Sequence, residues 1–142
     1  MTLRPADMLC FALYSAAQAM QQAYRPLLDA LGLTYPQYIV LSALWAAEDP
    51  PRVSDIGREV GLESSTLTPL LKRLEAAGLV ARQRDARDER QVRIRLTEAG
   101  RALQARAAHV PGCIFEKTGL DEAALVALRD EVAALGQRLR AG

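Results

Sequence analysis

The stretch from Val53 to Thr97, VSDIGREVGLESSTLTPLLKRLEAAGLVARQRDARDERQVRIRLT, constrains the fold more than any other part of the chain. Ser54 can cap a short helix that runs through Val60 and is closed by Gly61, and Ser64 can cap a second that ends before Gly78. Leu79 to Arg84 and Gln91 to Leu96 then alternate as the two arms of a hairpin, with Asp85 to Arg90 as its tip. Two short helices followed by a charged hairpin describe a winged helix-turn-helix. In such a unit one helix braces, the next enters a DNA groove, and the basic hairpin grips the flanking phosphates.

Most of the remaining sequence reads as helix. The first helix spans roughly Asp7 to Gln22; after Tyr24 the chain restarts at Pro26 and runs to Leu31, where Gly32 stops it. Thr34, Pro36 and Gln37 form a capping-box start for a helix carrying Ile39, Val40, Leu44 and Trp45 to about Ala47. Asp49, Pro50 and Pro51 form the next break. Thr97 caps a helix running toward His109, Pro111 and Gly112 interrupt it, and Asp121 starts a last helix with Leu125, Leu128, Val132, Leu135 and Leu139 on one stripe. The expected fold class is mainly α with a small β-hairpin wing.

At 142 residues, half apolar and a quarter charged, the chain is expected to form one domain over residues 1–142. Residues 33–97 would be its winged helix-turn-helix core. The outer helices, 1–32 and 98–142, carry apolar faces that so small a core leaves uncovered, which predicts a homodimer built on them. Two copies would set two recognition helices about 34 Å apart on a pseudo-palindromic double-stranded DNA operator.

Net charge is only +1, which argues against bulk adhesion to nucleic acid, but the segment from Lys72 to Arg95 carries +4. A local basic patch on a near-neutral protein fits sequence-directed docking. The longest apolar run, around Ile39 to Ala47, is too short for a membrane span, and no secretory pattern follows Met1. A cytoplasmic protein with no membrane partner is expected. Two cysteines 103 positions apart do not form a secreted disulfide framework; in a reducing compartment they are inert or redox-active.

On a helical wheel Leu67, Leu70, Leu71 and Leu74 share the core face of the second helix, while Ser65, Thr68, Pro69 and Lys72 face away. With Ser64, Thr66 and Arg73 they form the expected groove-facing set, because small hydroxyls and a cation approach base edges and phosphates without bulk. Pro69 costs a helix interior about 3 kcal/mol, which hints at a surface shaped for contact. Taken alone, this is as well explained by an amphipathic helix with a solvated polar face. The hairpin decides: Arg84, Arg87 and Arg90 alternate with Asp85, Asp88 and Glu89, so that Asp88 or Asp85 can hold one arginine bidentately while Arg87 reaches a minor groove.

The pattern from Leu33 to Leu103, with its DARDER tip and the following Thr97, Gly100 and Leu103, resembles the MarR family of dimeric winged-helix regulators. Cys10, Tyr24, Thr34, Tyr35, Pro36, Gln37, Tyr38 and the SSTLTPLLKRLE segment from Ser64 to Glu75 resemble its OhrR branch, which senses organic hydroperoxides. The likeness extends over nearly the whole chain. It implies a repressor whose Cys10 is the redox sensor, with the phenols of Tyr24 and Tyr35 hydrogen-bonding the sulfur across the dimer and an organic hydroperoxide as signal. A thiolate attacks peroxide to give a sulfenic acid, which a second thiol converts to a disulfide.

Cys113 is the candidate resolving thiol; a core position for it, or capping of Cys10 by a small cellular thiol, are the alternatives. Phe11, Tyr14, Tyr38, Trp45 and Phe115 are expected in the core, with Tyr14 and Tyr38 as further candidates to line the sensor pocket. His109 and Cys113 are four apart, but two ligands are too few for a metal site, and no metal or cofactor is assigned. Two other functions fit the parts: a MarR-type regulator responding to a small phenolic ligand, with Cys10 as packing, and a thiol peroxidase. The peroxidase lacks an acid, base or oxyanion constellation around either cysteine, so no enzyme is expected.

Overall fold

Thr34 opens the helix around which the fold is built. Its side chain accepts the Gln37 backbone N–H (3.3 Å) while Gln37 Oε1 accepts the Thr34 N–H (3.0 Å), a closed capping box. The helix that follows, α2 (Tyr35–Ala46), is apolar almost all round, the mark of a helix buried on several sides. In the computed structural model, which describes residues 1–142, α2 packs against α1 (Leu9–Asp29), α3 (Val53–Val60), α4 (Ser64–Ala76) and α5 (Glu98–Ala107). It also meets β2 (Val92–Leu96), which pairs antiparallel with β1 (Val80–Arg84) in the register Val80 to Leu96 and Arg84 to Val92.

The chain divides into two compact units, Met1–Ala108 and His109–Gly142. In the first, Val40, Leu41 and Leu44 of α2 are buried, as are Ile56, Leu67, Leu71, Leu74, Val80 and Ile94. The four leucines read as the core face of the second short helix are all buried there. The second unit holds α6 (Val110–Thr118) and α7 (Glu122–Ala141), the latter capped by Asp121, which accepts the Ala124 N–H at 2.8 Å. No residue of α7 is buried; Leu128, Val132 and Leu139 of its apolar stripe stand exposed. No helix is long and apolar enough to cross a membrane.

Several boundaries differ from those expected. The two segments Asp7 to Gln22 and Pro26 to Leu31 are one helix, α1, preceded by a 3-10 turn at Pro5–Asp7. Pro26 lies inside it, and because Gln22 and Pro26 are both exposed, water can take the carbonyl that proline leaves without a donor. Ser54 does not cap α3: the cap is Arg52, whose extended backbone is fixed by a β-bridge to Arg93 and whose N–H donates to Asp55 Oδ2 at 3.2 Å. Ser64 is the first residue of α4 rather than its cap, and Glu63 holds the extended cap conformation. Pro111 and Gly112 open α6 instead of breaking a helix, since proline needs no N–H partner in a first turn. Gly61 does close α3, in the left-handed conformation (φ 70°) that disfavours a side chain.

Thr97 caps α5 by accepting the Gly100 N–H (3.1 Å), and its hydroxyl donates to the Gly78 carbonyl (2.6 Å). Gly100 in turn accepts Trp45 Nε1–H at 2.9 Å, which ties α2, the base of the hairpin and α5 together. A Cβ on Gly100 would collide with the Leu79 backbone carbonyl oxygen, which cannot swing aside. Gly100→Ala is therefore expected to destabilise the protein by about 2–3 kcal/mol, read as a lowered thermal midpoint with quenched or shifted Trp45 emission.

Candidate nucleic-acid interface and redox site

The four leucines that anchor α4 turn its other face outward. Ser64, Ser65, Thr66, Pro69, Lys72 and Arg73 are exposed and Thr68 is half-buried, so the predicted groove-facing set lies together on the surface. Pro69 withholds the N–H that would meet the Ser65 carbonyl, leaving an acceptor at the exposed end of the helix. Between α3, α4 and the wing lies a cleft of about 570 Å³, lined among others by Ser54, Arg58, Ser64, Thr68, Arg82 and Arg90. Hydroxyls and guanidiniums around such a cleft suit a phosphodiester. Arg58 and Arg82 were not singled out in the sequence, because they sit on different elements and share no local motif.

At the wing, Arg84 Nη1 donates to the Glu89 carbonyl (3.0 Å), and Asp88 Oδ1 accepts from the Arg90 backbone N–H (3.1 Å) and Nε (3.4 Å). That pair uses one carboxylate oxygen rather than two. Arg87 gives only its backbone N–H, to Asp85 Oδ1 at 2.8 Å, and its exposed guanidinium has no ion pair within the chain. The expected role of Asp85 as holder of a tip arginine is corrected. Its carboxylate is only 5% exposed and points back to Arg93 (3.0 Å) and Arg52 (3.5 Å), a consequence of the local turn that the Arg87 N–H closes.

The Arg87 N–H holds the Asp85 carboxyl below its ordinary value of 3.8; burial opposes this, and the Arg93 and Arg52 guanidiniums reinforce it. A depressed value makes the contribution fully present above the unfolded value of 3.8 and lost as pH falls through the lower folded one. The wing contact thus persists throughout the neutral range.

A second cluster gathers aromatic side chains. Tyr24 of α1 meets Tyr35 at the first turn of α2 edge to face (ring centroids 5.1 Å apart, 61°) and Tyr38 at 5.7 Å; Tyr38 continues to Trp45 at 6.3 Å. Tyr24 and Tyr35 are half-buried. Burial raises both phenols above the ordinary 10.0, with Tyr35 and then Tyr38 adding to the effect on Tyr24, and Tyr38 to that on Tyr35. Both therefore remain protonated hydrogen-bond donors at neutral pH.

Cys10 does not join them. It is the second residue of α1 and exposed, and 14 positions separate it from Tyr24 on the same helix. At helical rise that is about 21 Å, with the two residues on nearly the same side of the rod. Around the thiol, Leu9, Phe11 and Tyr14 are exposed, at 62%, 44% and 62%. Phe11 and Tyr14 are thus not core residues of the single chain, contrary to expectation, whereas Tyr38 is buried and Trp45 and Phe115 half-buried. Cys113 is half-buried in α6, in the other compact unit, where its N–H donates to the His109 carbonyl at 3.1 Å.

An absorbance titration checks the phenol environment. The Tyr24 and Tyr35 phenols are expected to ionise above 10.0, and Tyr35→Phe should lower the Tyr24 midpoint toward that value.

Comparison with known proteins identifies the family. Residues 22–106 match the family described as transcriptional regulator SarA/Rot. The HTH-type transcriptional regulator TtmR of Methylorubrum extorquens is 49% identical over 133 residues, spanning 94% of this chain and 68% of that protein. The organic hydroperoxide resistance transcriptional regulator of Bacillus subtilis is 47% identical over 109 residues, 77% of this chain and 74% of its own. Among solved structures, reduced AbfR bound to DNA is 36% identical and superimposes with a TM-score of 0.78, covering 94% of this chain and 93% of that one. AbfR with its disulfide formed is 38% identical and matches at 0.64, over 95% of this chain and 89% of that one. AbfR is a protein of Staphylococcus epidermidis. The chain belongs to the MarR family of winged helix-turn-helix transcriptional regulators, in its OhrR, or organic hydroperoxide resistance, branch.

Proposed function

We propose that the chain is a dimeric, cytoplasmic repressor that releases operator DNA when an organic hydroperoxide oxidises Cys10. The observation that carries this reading is the separation, along the unbroken α1, of the exposed Cys10 thiol from Tyr24, whose ring meets Tyr35 of α2. A second copy that covers Leu9, Phe11 and Tyr14 can bring its own Tyr24 and Tyr35 to the sulfur. The relative named for organic hydroperoxide resistance, and the solved reduced and disulfide forms of AbfR, support it.

In the reduced dimer, the Ser64–Thr66 end of α4 and Thr68 meet base edges and phosphates. Pro69 shapes that surface, and Lys72 and Arg73 add charge. Arg87 enters the minor groove while Arg84 and Arg90, the latter held by Asp88, meet the flanking backbone. Oxidation is a two-electron step. The Cys10 thiolate attacks the terminal peroxide oxygen, the O–O bond breaks, and the alkoxide leaves as alcohol after taking a proton. The phenols of Tyr24 and Tyr35 donate hydrogen bonds to the anionic sulfur. The sulfenic acid then condenses with a second thiol, with loss of water. Cys113 is the partner available in the chain, and a small cellular thiol is the alternative, which the mass of the oxidised protein distinguishes.

A covalent link across the dimer favours a geometry in which the recognition helices no longer match both half-sites. Inverting a 99:1 population needs about 5.5 kcal/mol of differential stabilisation, within reach of a bond forced between subunits. The test uses a DNA site selected from a random pool by the reduced protein. Wild type should bind it when reduced and release it after cumene hydroperoxide, while Cys10→Ser binds and stays bound. Equal release by both proteins overturns the assignment of Cys10.

A further inference from the structure

Asp85 is the only buried charged side chain in the protein. Its Oδ1 accepts the Arg87 N–H at 2.8 Å, and its Oδ2 lies 3.0 Å from Arg93 Nε and 3.5 Å from Arg52 Nε. Arg93 belongs to the second wing strand and also donates through Nη1 to the Pro50 carbonyl, 2.7 Å away. Arg52 bridges Arg93 in the manner of a third strand, and the Ile94 N–H donates to the Pro51 carbonyl at 2.9 Å. Arg52 is also the residue on which α3 begins. One carboxylate therefore touches the wing tip, the returning strand and the start of the bracing helix.

We propose that Asp85 is a positioning residue for DNA recognition, locking the wing to the Pro50–Arg52 segment and α3 so that Arg87 is held at a fixed offset from α4. This rests on the DNA-binding reading above. A two-stranded ribbon is marginal by itself in water, and a wing hinged only at its base would carry Arg87 through many positions. With the Arg87 backbone already in place, its guanidinium reaches a phosphate or groove without the ordering cost of a swinging wing. Asp85 acts through Arg87 and touches no DNA itself. The Arg52 and Arg93 side chains are 40% and 30% exposed, so both stay hydrated when Asp85 is neutralised, and Asp85→Asn should fold.

The test is a double-substitution cycle read through the salt dependence of operator binding, in wild type, Arg87→Ala, Asp85→Asn and the double variant. Arg87→Ala should weaken binding and flatten the log–log salt slope by about 1, the value for one lost phosphate contact. Asp85→Asn should do the same although it keeps Arg87, and the double variant should be no worse than either alone. Additive losses, or a wild-type slope in Asp85→Asn, overturn the positioning role while leaving DNA binding standing. A wild-type protein with no salt-dependent DNA binding would sink both. Without DNA, Asp85→Asn should speed amide exchange at Ile94 and leave Leu71 and Leu74 in α4 unchanged; unaltered Ile94 exchange also counts against the lock. Should Asp85→Asn fail to fold, Arg52→Gln takes its place in the cycle: a flattened slope supports the lock, and a wild-type slope overturns it.

Discussion

A helix advances about 1.5 Å per residue, and α1 does so without a break from Leu9 to Asp29. Cys10 lies at one end of that rod and Tyr24 four turns away, so no side-chain motion brings thiol and phenol of one chain together. In the proposed sensor, each of these places would hold half of the redox site. An antiparallel second copy would pair the two halves and cover Leu9, Phe11 and Tyr14, which are exposed in the single chain.

From the phenols to the DNA-facing surface the path is short. Tyr35 is the first residue of α2, and α2 packs on α3, α4, α5 and the second wing strand. Close-packed interiors shift as units, so a displacement applied at Tyr24 and Tyr35 bears on the element against which the recognition helix rests. The wing is tied to the same frame at a different place, through Asp85, Arg52 and the start of α3. In this account the winged unit moves as a rigid reader, and the switch lies in the spacing between two readers.

Local chemistry made much of this legible in the sequence. The Thr34–Gln37 capping box, the Thr97 and Asp121 caps, the leucine face of α4 and the hairpin arms all depend on residues within a few positions of each other, and all are present. What was misread depends on distant partners. Ser54 looked like a cap because the β-bridge that pins Arg52 comes from a strand 41 positions later. Asp85 was read as a candidate holder of a tip arginine because Arg52 and Arg93 are brought to it only by the fold. Phe11 and Tyr14 looked like core because an apolar stripe on a helix has the same pattern whether the chain itself covers it or leaves it exposed.

Mixed dimers test whether a second copy completes the sensor. One copy carries the sole Cys10, its partner having Cys10→Ser, and the paired Tyr24→Phe and Tyr35→Phe substitutions are placed either in the Cys10 copy or in the other. The rate of sulfenic acid formation with an organic hydroperoxide is then followed. Oxidation should slow only when the phenols are missing from the copy without Cys10. Slowing when they are missing from the Cys10 copy, with the other arrangement unaffected, would contradict it.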